Sequence, residues 1–184
     1  MGTQSKTSKV ITWTLIGILL VVLIVKTFFI ANYRIPQNGM YPTLPANSRL
    51  FVNKRAYSAP SSVKRGDIVI FVREEDGQKY HYIWRVIGLP GDKIETSGAS
   101  LKINGRELER QRVREGQGKI IFREQAEGAT YEIALDQNPE RQLNEASVTV
   151  PPDYFFVMGD NRFNARDSRD FGPIAFASIL GKKL

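Results

Sequence analysis

The chain has 184 residues, 42% of them hydrophobic and 24% charged, a size and balance that suit one compact domain able to bury a core. It holds no cysteine, which excludes a disulfide framework and a thiolate nucleophile. A single histidine, His81, disfavours a histidine-built metal site and allows a serine–histidine triad only on that residue, and the net charge of +7 is scattered rather than clustered, so no nucleic-acid partner, metal or cofactor is expected.

Val10 to Val25 carries no charge. Lys26 interrupts the run, and Thr27 to Ala31 restores it to about the 20 residues that cross a bilayer. Segment 10–31 is therefore expected to be a transmembrane helix behind a short tail, 1–9, with Lys26 snorkelling to the headgroups. The alternative is a cleaved signal peptide with Lys6 and Lys9 as its charged end. Against it stand the length of the run and the lack of a small-x-small cleavage pattern. Lys6 and Lys9 favour an inside N-terminus, but Arg34 and Arg49 lie beyond the span, so charge alone does not orient it.

Past this segment, Arg49 to Lys54 alternates Leu50 and Val52 as a half-buried strand does, and Asp67 to Val72 is a short β-branched run suited to a central strand. Glu74 to Gly77 turns into a second strand, Lys79 to Ile87. Asn104-Gly105 is a strong hairpin signal. From 104 to 150 polar residues dominate, broken by apolar runs at Lys119–Phe122 and Thr130–Leu135. That stretch reads as a more polar β lobe inserted between core segments 32–103 and 151–184, the alternative being a disordered loop. Many short strands without a sustained amphipathic helix predict an all-β, mainly antiparallel fold with one N-terminal transmembrane helix.

The most informative stretch is Tyr33-Arg-Ile-Pro-Gln-Asn-Gly-Met-Tyr-Pro-Thr-Leu44, in which Pro36 and Pro42 impose an extended, turning backbone. It resembles the signature of the type I signal peptidases, membrane-bound Ser-Lys proteases with the pattern Ile-Pro-Ser-x-Ser-Met-x-Pro-Thr-Leu. The resemblance extends through Lys64–Phe71. It continues through Tyr82-Ile-Trp-Arg-Val-Ile-Gly-Leu-Pro-Gly-Asp92, which differs from the family's pattern at one position only. A third match is Gly159-Asp-Asn-Arg-Phe-Asn-Ala-Arg-Asp-Ser-Arg-Asp-Phe-Gly172.

The departures fall on the chemistry. The nucleophilic serine aligns with Gly39, an oxyanion hydroxyl with Gln37, the general-base lysine with Trp84, and the serine that orients that lysine with Ala165. A buried lysine can lose its proton and accept another, whereas an indole offers only an N–H donor. Arg85 does not deprotonate, and His81 lies on the other face of a strand from Trp84.

The resemblance implies a signal-peptidase/LexA-like β fold, an N-terminus in the bacterial cytoplasm and a single-pass anchor in the plasma membrane, with the β domain outside. It implies a peptide groove lined by Tyr33, Ile35, Pro36, Met40, Leu44, Tyr82 and Ile83. It also implies a structural loop network of Asp160, Arg162, Asp167, Ser168 and Arg169. Expected partners are the lipid bilayer, signal peptides or segments of secreted proteins, and an active paralogue. Three functions stay open: a non-catalytic homologue that binds extended peptides, an active peptidase using another hydroxyl (Ser48, Ser58, Ser61, Ser62 or Ser168), and a purely structural membrane β-domain.

Overall fold

The computed structural model describes residues 6–184. Helix α1, Lys6–Phe28, includes the Ser8–Phe28 portion, none of it buried and of mean hydropathy 2.4, which is long and apolar enough to cross a bilayer. Thr12 and Thr14 donate their hydroxyls to the carbonyls of Ser8 and Val10, both at 2.9 Å, so these polar groups are satisfied inside the helix. Lys26 sits in the last turn, where the helix dipole favours a cation.

The helix ends three residues before the expected limit at 31. Phe29 makes the last helical bond, to the Val25 carbonyl, and strand β1, Ile30–Arg34, begins at once. The physical reason is competition from β2, Arg49–Asn53, which pairs antiparallel with β1 from Ile30↔Asn53 to Arg34↔Arg49. Lys54 reinforces the join: its N–H donates to the Phe29 carbonyl and its Nζ to that of Thr27, both at 2.8 Å.

Strands β3, Ile68–Glu75, and β4, Gln78–Gly88, form a hairpin whose turn residues Asp76 and Gly77 both take positive φ, 50° and 74°. Ile68 to Phe71 are buried on both faces, as an unbroken apolar run requires. Then come β5, Lys93–Ser97; β6, Ser100–Ile103; β7, Arg106–Glu107; β8, Glu109–Gly116; β9, Lys119–Ala126; and β10, Ala129–Asp136. The chain closes with β11, Ala146–Thr149; β12, Tyr154–Met158; a one-turn helix α2, Ser168–Phe171; β13, Ile174–Ala175; and β14, Ile179–Lys183.

Three sheets result, with strand orders β1-β2-β14-β3-β4-β12-β13, β10-β9-β8 and β11-β5-β6-β7, and every pair of strands within them is antiparallel. The four-stranded sheet takes members from both sides of residue 104: β5 and β6 precede it and β11 follows it. Two apolar clusters separate accordingly. One, with Val52, Val69, Phe71 and Phe155, lies under the seven-stranded sheet, and the other, with Ile94, Leu101, Ile133 and Phe156, joins the smaller sheets to it.

Candidate functional site

The site lies where β12 ends. It pairs with β4 at Arg85, Val86 and Gly88, and among the described residues no strand occupies the second edge of β4 from Gln78 to Trp84. Opposite that edge runs the proline-rich segment, with a groove of about 220 Å³ between them. Ile35, Pro36, Gln37, Gly39 and Met40 line one wall, and Tyr80 to Trp84 the other.

The segment is held from beneath by Asn161, whose N–H donates to the Gly39 carbonyl at 3.0 Å and whose Nδ2 donates to the Asn38 carbonyl at 2.9 Å. On its far side Ile35 and Asn47 are tied together, and Ile35 N–H donates to the Ser48 carbonyl.

Two of the four positions that depart from the family pattern, Gly39 and Trp84, meet, and a third, Ala165, lies beside Gly159. A methyl group built on Gly39 would stand 2.6 Å from Trp84 Cζ3 and closer still to Cη2, so the indole fills the space that any side chain at 39 would need. One built on Gly159 would stand 2.7 Å from the Gly39 carbonyl oxygen, 2.9 Å from Trp84 Cζ3, and in collision with Ala165 Cβ. The ring thus rests in a slot against Gly39 and Gly159, with Ala165 close beside Gly159. The fourth position, Gln37, is exposed on the groove wall.

The groups nearest a side chain at 39 are the indole of Trp84 and the Asn164 carbonyl. Trp84 Nε1 is a buried donor with no partner, and the nearest oxygen to a side chain at 39 is the Asn164 carbonyl, at 3.3 Å from the position of its Cβ. Tyr82 donates its hydroxyl to Glu75 Oε1 at 3.0 Å; burial and that carboxylate push the phenol above its usual range and keep it neutral. Among the described residues no three His, Cys, Asp or Glu side chains gather to hold a metal ion.

Of the groove residues read from the sequence, Ile35, Pro36, Met40, Tyr82 and Ile83 line the cavity. Leu44 does not: it is 6% exposed and faces the core, bridged back to Met40 by the turn. Tyr33 does not either; its ring packs against His81, 5.8 Å between centroids. His81 itself is exposed and stands on the groove wall.

The loop network is built from buried charges. Arg85 grips Asp160 with two hydrogen bonds of 2.8 and 2.7 Å. Asp167 caps α2, accepting from Arg169 N–H, and also accepts the Gly159 N–H at 2.9 Å, while Ser168 Oγ accepts from Val157 N–H at 2.9 Å. Arg169 then donates to the Arg162 carbonyl at 2.8 Å. Arg162 forks onto Glu124 at 3.1 and 2.5 Å, a carboxylate the sequence reading missed. Its signal was present: Phe122, Glu124 and Ala126 share one strand parity, so Glu124 points inward with its apolar neighbours.

Because the slot is full, Gly39→Ala is expected to destabilise the protein by about 1–3 kcal/mol through overpacking. The φ of Gly39 is not in the left-handed region, so the cost is steric rather than conformational. Thermal melts of the single variant and of Gly39→Ala with Trp84→Leu check this, the second change relieving the clash.

Fold and site together define a β protein on an apolar helix, with a peptide-sized groove beside an unpaired strand edge. The family model described as signal peptidase, peptidase S26, matches residues 8–184, and the chain belongs to that family. It is 36% identical over 169 residues to signal peptidase I P of Bacillus subtilis subsp. natto, covering 91% of this chain and 82% of that protein. It is 34% identical over 181 residues to signal peptidase I T of Bacillus subtilis (strain 168), covering 97% and 85%. A crystal structure of a signal peptidase I from Enterococcus faecalis V583 is 27% identical, with a TM-score of 0.39, and covers 65% of this chain and 95% of that one.

Proposed function

We propose that this chain is a membrane-anchored, non-cleaving member of the signal peptidase family that holds extended, signal-peptide-like segments in the groove beside β4. The observation that carries the reading is Gly39 packed against Trp84, which leaves neither an attacking oxygen nor a proton acceptor. The free edge from Gln78 to Trp84 supports peptide docking, because strand addition needs main-chain groups rather than particular side chains. By the same reading the N-terminus lies in the bacterial cytoplasm and the β domain beyond the plasma membrane. There it assists processing or assembly of secreted proteins beside an active paralogue.

The serines weighed as substitutes gain no support. Ser48 and Ser62 donate to nearby carbonyls, Ser168 is 2% exposed and committed to Val157, and among the described residues none of the five is bonded to a lysine or histidine. Purified full-length protein incubated with a preprotein is expected to release no mature product. Clean cleavage abolished by one serine-to-alanine change would overturn the reading.

A second reading, a structural membrane β-domain, is favoured by the same indole, because a filled slot is also what a closed site looks like. The two part on binding: a labelled signal-peptide analogue that does not bind the protein favours the structural role.

A further inference from the structure

We propose that Trp84 is the recognition residue of the groove: when an extended segment docks, the indole turns from its slot and Nε1–H donates to a main-chain carbonyl of that segment. This rests on the peptide-binding reading above.

Two observations meet on this side chain. Trp84 is 5% exposed, yet its Nε1 has no acceptor. Buried polar groups are almost always paired, and an indole has no other polar atom with which to compensate. The orphaned donor is therefore a standing cost of the unoccupied state, removed when an acceptor arrives. The same side chain also lines the groove, so an occupant meets this ring.

The surroundings allow the movement and name the ligand's chemistry. On the slot side the ring packs against the backbones of Gly39 and Gly159, and no hydrogen bond fastens its Nε1 there. Its aromatic neighbour, Tyr82, is tilted at 6.3 Å between centroids rather than stacked on it. The adjacent edge of β4 is unpaired from Gln78 to Trp84, and a strand laid along it brings carbonyls at regular spacing. A main-chain carbonyl is thus the acceptor the site is built to receive.

The test uses full-length protein in detergent micelles with Trp13→Phe, which leaves Trp84 as the only tryptophan of the two in the chain. The probe is a labelled synthetic peptide with the apolar run and small-x-small end of a secretory signal. Binding, read by anisotropy, is expected to shift the emission maximum of Trp84. Trp84→Phe keeps an aromatic ring, removes the N–H, and is expected to weaken binding about tenfold.

If the peptide binds but the emission stays unmoved, or if Trp84→Phe binds with undiminished affinity, the assignment of Trp84 is overturned and the groove remains a peptide site. If the peptide does not bind the Trp13→Phe protein at all, both readings fall. Should Trp84→Phe not fold, the emission of Trp84 decides alone.

Discussion

Arg162→Met is expected to lower the stability of the β domain by about 3–5 kcal/mol, because it removes the main counter-charge of the buried Glu124 carboxylate. Arg162 is 2% exposed and Glu124 fully buried, and the pair is joined by two hydrogen bonds. Arg110 and the Tyr131 hydroxyl remain on the carboxylate, at 2.7 and 2.9 Å, but one guanidinium and a phenol do not replace the lost fork. For a chain of this size the loss corresponds to a fall of roughly 10 °C in melting temperature, readable by circular dichroism.

The same pair predicts an acid limit. Burial pushes the Glu124 carboxyl up, but the Arg162 and Arg110 guanidiniums outweigh it and hold the group at about 2, below its ordinary 4.5. A depressed carboxylate contributes stability above its unfolded pKa and loses it as pH falls towards the folded value. Wild-type stability should therefore decline between about pH 4.5 and 2. Glu124→Gln, less stable at neutral pH, should lack that part of the decline. A Glu124→Gln curve parallel to wild type across the window would place the acid sensitivity elsewhere.

Glu124 also marks how far the sequence could be read. Alternation in Arg49–Asn53, the β-branched run at Ile68–Phe71 and the Asn104-Gly105 turn made strands and hairpins legible, because each depends on neighbours in sequence. Which strands sit side by side was not legible. Inserting β14 between β2 and β3 depends on residues more than a hundred positions apart, and period-2 patterning fixes a face without naming a neighbour. For the same reason the four-stranded sheet crosses residue 104, where only composition changes.

At the site, Gly39, Trp84 and Ala165 were visible as departures from the family pattern, but the contact of Gly39 with Trp84 was not. That contact couples the two positions: an indole at 84 requires glycine at 39, and the close approach of Ala165 Cβ leaves no room for a side chain at 159. Tyr33 and Leu44 do not line the cavity because Tyr33 is taken into β1, opposite Leu50 of β2, and Leu44 is drawn into the core cluster beside Met40, pairings that the residues' own order does not reveal.

On the proposed non-cleaving reading, this coupling sets the order in which cleavage should emerge. Gly39→Ser alone is expected to give no cleavage, since its Cβ collides with the indole and no base is present. Trp84→Lys alone supplies an amine without a nucleophile. Gly39→Ser with Trp84→Lys removes the collision and sets a hydroxyl beside an amine among Ile35, Met40 and Tyr82. There desolvation lowers the lysine pKa towards neutrality. Arg85 does not oppose this as a free charge, being neutralised by Asp160. Loss of a nucleophile or base costs ~10⁶ in turnover, and Gln37 and Ala165 still withhold two supporting hydroxyls, so the double variant should exceed either single by roughly 10³-fold on a preprotein. Adding Ala165→Ser should raise the rate again by giving the amine an orienting partner. A double variant that folds and binds peptide yet stays as silent as the singles would mean that the backbone around Gly39 has drifted from attack geometry, and that the groove has been shaped for holding alone.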